Sequence, residues 1–218
     1  MKKIVIFGSG DQAKLIYYEI KNLKNYKFLG FVDPTKKEFF IDQKKIKLYP
    51  SIKKVKKKKK IFAIIGIGNN FIRKKIFNET NKLNLNIIWD KIISKKTFIN
   101  KNVKIGEGTF VCQGANISAN SLIGNHCIIN SISSIDHDNQ FGDFSSTGPG
   151  VITGGNVKIG SMCHLGIGSI IKNNINIDNN IIVGSNSYVN KDLAKTGIYF
   201  GSPSKFIKKI SKNYNYLK

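Results

Sequence analysis

A period of six residues dominates the hydrophobic pattern in the second half of the chain. Every sixth residue from Ile99 to Val189 is apolar, with Thr147 and Thr153 as the two exceptions. A helix repeats every 3.6 residues and a strand every two, so neither element explains this period. A short, strict repeat of this kind is typical of a solenoid, in which each coil stacks on the one before it.

The other positions of the hexad support the same interpretation. Glycine recurs directly after the apolar residue, and Asn, Asp and Ser fill most of the remaining positions, as tight corners require. The residue four places after the apolar one is mostly small or β-branched. Each short strand thus has one large and one small inward side chain, and three such strands, one per hexad, close a triangular coil. The sixteen hexads predict about five coils.

The first ninety residues alternate strands with helices instead. The pattern predicts a parallel α/β unit with strands over 2–7, 27–32, 61–65 and 87–89 and helices over 14–24 and 71–83. We therefore expect three segments, namely a Rossmann-like nucleotide-binding domain over 1–90, a β-helix over 91–194, and a C-terminal cap and tail over 195–218.

Composition narrows the class of protein. No apolar run long enough to span a bilayer and no signal peptide is present, so we expect no membrane span and a cytoplasmic location. Three cysteines support no disulfide framework, and Cys127 and Cys163 are interpreted as core residues. The net charge of +23 includes a lysine-rich run over 53–60, but Arg73 is the only arginine. Nucleic-acid readers favour arginine, so a solvated face is expected rather than a nucleic-acid site.

A glycine-rich turn follows the first predicted strand. Gly8, Ser9 and Gly10, with Asp33 after the second strand, match a dinucleotide fingerprint, in which backbone amides at a helix N-terminus hold phosphate. Ninety residues make only one mononucleotide-sized half, so a nucleotide diphosphate is favoured over NAD. A purely structural turn is the remaining alternative.

Three histidines are candidates for chemistry. Hexad position and coil number predict that His126 and His164 lie on one face, two coils apart, and that His137 lies on another face. Within one chain the three therefore cannot share a metal, and no metal is expected. His137 precedes Asp138, and a neighbouring carboxylate orients a histidine and raises its basicity. One coil of three hexads later comes Gly155, whose N–H would lie beside the imidazole and could hold an oxyanion. His126 and His164 are expected to be structural or surface residues.

Several motifs occur together in a recognisable order. They are Gly8-Ser9-Gly10, Phe31-Val32-Asp33, the stretch 65–70 with Arg73, Ile135-Asp136-His137-Asp138, the stretch 155–160 and the stretch 201–205. Together they resemble the NeuD/PglD-type sialic-acid O-acetyltransferase superfamily of hexapeptide-repeat acyltransferases. Within that superfamily the chain is most similar to bacterial nucleotide-sugar 4-amino N-acetyltransferases.

The resemblance implies a left-handed β-helix, a homotrimer, and acetyl-CoA bound along the β-helix between subunits. It implies direct acetyl transfer, without an acyl-enzyme, to the 4-amino group of a nucleotide-linked 4-amino-4,6-dideoxysugar. His137 would be the general base, Asp138 would raise its basicity, and Gly155 would stabilise the oxyanion. Acetyl-CoA would contact Ser146, Gly155, Ile167 and Ser185, and the nucleotide sugar would contact Gly8, Ser9, Gly10, Asp11, Gln12, Asp33, Pro34 and Gly68.

The chain departs from the family pattern at three places. Asp11-Gln12 stands where Gly-His is frequent, Ser146 stands where a second histidine is frequent, and Pro34 replaces a frequent acidic residue. The nucleotide, which could be UDP, dTDP or GDP, therefore stays open. Sugar O-acetylation of the sialic-acid type, a non-catalytic nucleotide-sugar-binding protein and a nucleic-acid-binding protein are the alternatives.

Overall fold

The computed structural model describes residues 1–55, 60–211 and 213–216, so residues 56–59, half of the lysine-rich run over 53–60, lie outside the described residues. The N-terminal part follows the predicted order of elements, with boundaries within a few residues of those expected. A hairpin, one further short strand and a 3-10 turn were not predicted. In chain order the elements are β1 (Lys2–Phe7), α1 (Asp11–Asn22), β2 (Tyr26–Val32), β3 (Phe40–Ile41), β4 (Lys44–Lys45), β5 (Leu48–Tyr49), a 3-10 turn (Ile52–Lys54), β6 (Ile61–Ile65), α2 (Asn70–Asn81) and β7 (Ile87–Trp89).

The N-terminal sheet is parallel, with strand order β5-β2-β1-β6-β7. The chain moves from β1 outward to β2 on one side and later returns to place β6 on the other side. In an open parallel sheet, ligands bind at such a reversal, outside the carboxyl ends of the strands. The turns after β1 and β6 are therefore the places where a nucleotide is expected.

The predicted left-handed parallel β-helix is confirmed, and each hexad's apolar residue is the last residue of a short strand. The strands are β8 (Ile92–Ile93), β9 (Phe98–Ile99), β10 (Lys104–Ile105), β11 (Phe110–Val111), β12 (Asn116–Ile117), β13 (Leu122–Ile123), β14 (Ile128–Ile129), β15 (Ser134–Ile135), β16 (Gln140–Phe141), β17 (Ser146–Thr147), β18 (Ile152–Thr153), β19 (Lys158–Ile159), β20 (His164–Leu165), β21 (Ile170–Ile171), β22 (Asn176–Ile177), β23 (Ile181–Val183), β24 (Tyr188–Val189), β25 (Gly197–Phe200) and β26 (Lys205–Lys208).

These strands stack into three sheets, which form the sides of a triangular prism. Face 1 contains β8, β11, β14, β17, β20, β23, β25 and β26, face 2 runs from β9 to β24, and face 3 runs from β10 to β22. Paired residues are three hexads apart in the chain, as in the pair Ile117 and Ile135. Because β25 adds a parallel strand to face 1 after the last hexad, the sheet continues past residue 194.

The interior of the β-helix follows the predicted pattern. From Thr109 onward, residues at the small inward position, including Cys127 and Cys163, are buried, and both of these thiols are free. Thr147 and Thr153 are also buried, and each hydroxyl accepts a main-chain N–H at a corner. The two breaks in the apolar series thus supply hydrogen bonds inside the prism, where an unpaired backbone donor would be costly.

The three faces have different surroundings. Face 1 packs against the N-terminal domain, because Ile92, Phe110 and Ile128 share one core with α1. Face 2 has apolar residues on its outer side, with Phe98 75% exposed and Ile152 47% exposed. Face 3 is mostly polar on its outer side. No helix within the described ranges is both long and apolar enough to cross a bilayer.

Candidate active site

A cleft of about 600 Å³ lies between the carboxyl edge of the N-terminal sheet and face 1 of the β-helix. The turns after β1 and β6 form one wall. Face 1 and the corner between faces 1 and 2, which we call the first corner, form the other wall. Seven of the residues implied by the resemblance line this cleft, namely Gly10, Asp11, Gln12, Gly68, Ser146, Ile167 and Ser185.

The turn after β1 presents backbone donors to the cleft. Gly8 has a φ of +88°, and a Cβ there would lie 2.4 Å from the Cδ1 of Ile67, so the turn needs glycine. Gly10 is the N-cap of α1, and no side chain of the described residues caps this helix. The first N–H groups of α1 therefore stay available to an anion, which the helix dipole also favours.

Asp33 lies beneath this turn rather than in the cleft wall. Its Oδ2 accepts from Ser9 Oγ at 2.6 Å, and its Oδ1 accepts from the main-chain N (2.9 Å) and Oγ1 (2.6 Å) of Thr35. Burial alone would raise the pKa of Asp33, but these hydrogen bonds and the nearby Lys36 hold it below its ordinary value. Asp33 thus fixes the loop around Ser9 as an ionised carboxylate, and Pro34 is exposed next to it.

A hydrogen-bonded chain of side chains crosses the cleft wall from α2 to face 1. Asn70 Nδ2 donates to the carbonyl of Cys163 at 2.8 Å, and Asn70 Oδ1 accepts from Arg73 Nη2 at 2.7 Å, which sets the orientation of the amide. Ser146 Oγ lies 2.9 Å from this Oδ1 and must donate to it. The serine oxygen is then left to accept from His164 Nδ1, also at 2.9 Å.

This chain of donors fixes the state of His164. With Nδ1 protonated, Nε2 is the unprotonated nitrogen, and no described residue donates to it. Burial, followed by the charge of Arg73, lowers the pKa of His164 to about 4, so the ring is neutral near pH 7. His164 lines the cleft, a role that the expectation of a structural or surface residue did not include.

The C-terminal segment returns to this cleft. The Tyr216 ring stacks on His164 with centroids 4.3 Å apart and an interplanar angle of 26°. Its hydroxyl donates to the Gly68 carbonyl at 3.2 Å and accepts from the main-chain N of Asn70 at 3.1 Å. Tyr216 therefore joins the turn after β6 to face 1.

His137 and Asp138 lie at the corner between faces 2 and 3, which we call the second corner. His137 Nδ1 is 2.7 Å from Asp138 Oδ2. Asp138 has a φ of +59°, and its Oδ1 accepts from Asn120 Nδ2 at 3.0 Å. The hydrogen bond to Asp138, followed by the charge of Asp136, raises the pKa of His137, and the same hydrogen bond lowers the pKa of Asp138. An ionised Asp138 accepts a hydrogen bond from the N–H of Nδ1, which leaves Nε2 unprotonated and able to act as a base.

Gly155 lies beside this base, one coil later, as the three-hexad spacing indicates. A Cβ at Gly155 would be 2.5 Å from Cε1 and 2.6 Å from Nε2 of His137, so a larger residue there would displace the imidazole from its present position. The N–H of Gly155 donates to none of the described residues. The corner therefore combines a base and an unused amide donor, the pair that acyl transfer to a nucleophile requires.

The structure does not bring all predicted site residues together in one chain. The cleft reaches the first corner, through Pro149 and Ile167 among others, and His137 is at the second corner. Face 2 separates the two.

Residues 3–80 match the family model described as the PglD N-terminal domain. This match confirms, for the N-terminal domain, the resemblance that the sequence motifs indicate.

Solved structures share the arrangement of the whole chain. The acetyltransferase domain of PglB from Neisseria gonorrhoeae FA1090 is 21% identical, with a TM-score of 0.85 over 95% of this chain and 100% of that one. PerB from Caulobacter crescentus, solved with CoA and GDP-perosamine, is 24% identical, with a TM-score of 0.85 over 95% and 98%. WeeI from Acinetobacter baumannii AYE is 23% identical, with a TM-score of 0.83 over 95% and 100%. At these identities the likeness establishes the fold.

The sequence did not identify several site residues that lie where the N-terminal domain meets face 1. His164 could have been found, because it stands three hexads after Ser146 and therefore directly above it in face 1. Asn70 belongs to the motif over 65–70, but no separate role for it follows from the sequence. Tyr216 gave no signal, since it lies outside every repeat and reaches the cleft across 146 residues from Asn70.

Proposed function

We propose that this protein transfers the acetyl group of acetyl-CoA to the 4-amino group of a nucleotide-linked 4-amino-4,6-dideoxysugar. The observation that carries the proposal is the second corner, where Asp138 holds His137 with Nε2 free and Gly155 offers an N–H beside it. His137, the base, takes a proton from the attacking amine while the amine nitrogen bonds to the thioester carbon. The amide of Gly155 stabilises the oxyanion that forms.

The remainder of the reaction needs no further group. As the carbonyl re-forms, the C–S bond breaks, and the CoA sulfur leaves with the proton that His137 Nε2 accepted. Such a base is worth about 10²–10⁴ in rate, and one oxyanion donor is worth about 10²–10³. Direct transfer is supported by the surroundings of His137, where no described cysteine or serine is hydrogen-bonded to the imidazole.

The nucleotide sugar is assigned to the cleft. Its diphosphate would face the uncapped N-terminus of α1 at Gly10, Asp11 and Gln12, beside Gly68. Acetyl-CoA would lie along the first corner, at Ile167 and Ser185. PerB was solved with CoA and GDP-perosamine, ligands of the two classes assigned here.

A second copy of the chain would complete the site. The outer side of face 2 exposes the apolar side chains of Phe98, Ile152 and Ile170, and this face lies between the first corner and the second. If three prisms pack face 2 around a threefold axis, the first corner of each copy meets the second corner of the next. His137 of one copy would then reach the cleft of its neighbour, which supports a homotrimer with shared sites.

The test is an assay of CoA release with acetyl-CoA and a panel of UDP-, dTDP- and GDP-linked 4-amino sugars. We expect turnover with one of these amino sugars and its loss, with ligand binding retained, in His137→Asn. Absence of CoA release with every amino sugar would overturn the proposal, and acetylation of a sugar hydroxyl alone would favour an O-acetyltransferase.

Mixed assemblies test the sharing of sites. His137→Asn and Gly10→Asp, which places a carboxylate at the proposed phosphate site, should each be inactive alone. Co-expressed in one assembly, the two should regain a fraction of the activity, because some interfaces combine an intact cleft with an intact His137. Activity that stays at the level of the single variants would show that each site lies within one chain.

A further inference from the structure

Asn139 is unusual in the interior of the β-helix because it is the single amide side chain among the described small inward positions, where the other polar residues are serine and threonine. It occupies the small inward position, and its column contains Ser121 one coil before and Val157 one coil after. The side chain is fully buried, and its Oδ1 has no hydrogen-bond partner among the described residues. A buried acceptor without a partner lowers stability, so packing alone does not explain an asparagine here.

The hydrogen bonds of the side-chain amide nitrogen explain why an asparagine occupies position 139. Nδ2 donates to the carbonyls of Asp136 at 2.9 Å and His137 at 3.2 Å, within its own corner. It also donates to the carbonyl of Gly154 at 2.9 Å, one coil later. A single side chain thus links the backbone on either side of the proposed base to the coil that supplies the proposed oxyanion donor.

The bond to Gly154 fixes the direction of the amide of Gly155. The C=O of Gly154 and the N–H of Gly155 belong to one planar peptide group, in which they point in opposite directions. Because Asn139 holds the carbonyl toward the interior, the N–H points outward beside His137. A hydrogen bond on the carbonyl also polarises the peptide group, which makes its N–H a stronger donor.

We propose that Asn139 is the positioning residue for the oxyanion donor. It orients the N–H of Gly155 through the Gly154–Gly155 peptide group, and it holds the backbone of His137 next to that group. This inference rests on the proposed acetyl transfer. Asn139 itself is inside the prism and touches no ligand, so its effect should fall on kcat and leave the KM of both substrates nearly unchanged.

The first test compares Asn139→Val with Val157→Ala. Valine already occupies this column one coil later, so the first variant should fold, and it removes the donors without removing bulk. We expect kcat to fall about 10- to 100-fold, less than the loss of the donor itself, with KM within about twofold. Val157→Ala disturbs the same column without touching the peptide group and should keep kcat within about twofold.

A second readout separates this inference from the proposed function. In protein labelled with ¹⁵N-glycine, the nitrogen resonance of Gly155 reports hydrogen bonding at the carbonyl of its own peptide group. It should move in Asn139→Val and stay in place in Val157→Ala, whether or not any sugar is acetylated. An unmoved Gly155 resonance, or an unchanged kcat in an active enzyme, would overturn the role of Asn139.

A third variant guards against misfolding. If Asn139→Val does not fold, Asn139→Ala places there the residue found at the same hexad position at 115. Its methyl group has no donor, so the carbonyl of Gly154 loses the hydrogen bond from residue 139 in this variant too. The same movement of the Gly155 resonance and the same fall in kcat are then expected from it, and their absence would equally overturn the inference.

Discussion

Arg73 and His126 join the two domains, because Arg73 Nε donates to the main-chain carbonyl of His126 at 2.7 Å. Arg73 belongs to α2, and His126 lies at the corner that leads into face 1. The other four guanidinium N–H groups also have acceptors, which are the carbonyls of Ile67, Gly68 and Phe144 and the side chain of Asn70. The only arginine of the chain is thus a buried interdomain link with every donor used.

Replacing Arg73 with lysine should destabilise the protein strongly. An ammonium has three donors at one point and cannot reach five acceptors, so buried carbonyls would lose their partners. We expect the free energy of unfolding to fall by about 3–5 kcal/mol in chemical denaturation. Lys75→Ala, on the exposed side of α2, should change it by less than about 0.5 kcal/mol. A stability equal to that of the wild type in Arg73→Lys would refute the interdomain role.

Protonation of His126 should weaken the fold in mild acid. Its ring stacks on Phe144 at 5.0 Å, and burial, followed by the charge of Arg73, lowers its pKa to about 4. Between pH 6.5 and 4 the unfolded chain binds a proton that the folded chain excludes, so stability is lost as the pH falls. A full shift of this size corresponds to on the order of 3 kcal/mol.

His126→Phe tests this pH dependence. It keeps an aromatic ring beside Phe144 and removes the titrating group, so unfolding free energies measured at pH 7 and pH 5 should differ less than in the wild type. His164 has a similarly lowered pKa and should account for the pH dependence of stability that remains in this variant. An identical pH dependence in the two proteins would show that His126 does not contribute.

Asp138→Asn should change both the rate and the pH profile of acetyl transfer. His137 must be neutral to act as a base, so activity rises with pH through its pKa, which Asp138 holds above the ordinary value of about 6.5. Loss of the carboxylate should move this midpoint to lower pH, and loss of orientation should lower the plateau kcat about 10²-fold.

Asp136→Asn is the matched control for that variant. Asp136 raises the pKa of His137 by charge alone, while its Oδ1 accepts the main-chain N–H of His137. We expect a smaller shift of the midpoint in the same direction and little change in the plateau. Equal effects of the two variants would mean that Asp138 does not orient the imidazole.

The two halves of the site differed in how far the sequence could predict them. Stacking every three hexads is a local rule, so the spacing alone correctly placed Gly155 beside His137. The same rule would have placed His164 above Ser146. Thr153 was visible as a break in the apolar series, but its hydrogen bond to the corner backbone was not, and Asn139 was not singled out at all.

The cleft could be predicted only in part. The glycine-rich turn after β1 has a sequence signature, which located one wall. The opposite wall depends on contacts between residues far apart in the chain, such as Tyr216 with Gly68 and Asn70 with Ser146. No periodicity encodes such contacts, and they follow only from how α2 docks on face 1.

Gly155→Ala should abolish most of the activity while leaving the fold intact. The new methyl group would lie about where the His137 ring now sits, 2.5 Å from its Cε1, so the imidazole must move away. We expect kcat to fall by about 10²–10³ and the melting temperature to stay close to that of the wild type, because the ring is exposed and free to turn. Asn174→Ala, at the same corner one coil later, should keep its kcat. Full activity in Gly155→Ala would show that Gly155 has no role in the mechanism.

Ser146→Ala should release the fixed tautomer of His164. In the wild type, Ser146 donates to Asn70 and can only accept from His164, so ¹⁵N spectra of labelled histidine should show Nδ1 protonated and Nε2 unprotonated at pH 7. Without the hydroxyl, Nδ1 loses its acceptor, and the two tautomers should become mixed. Because His164 lines the cleft and its Nε2 accepts from no described residue, the KM of the cleft ligand should rise a few-fold with kcat less affected. Asn215→Ala, at the rim of the same cleft, leaves the Ser146–His164 bond in place and should keep the wild-type spectrum. A wild-type spectrum with Nε2 protonated would contradict the donor order derived from Asn70.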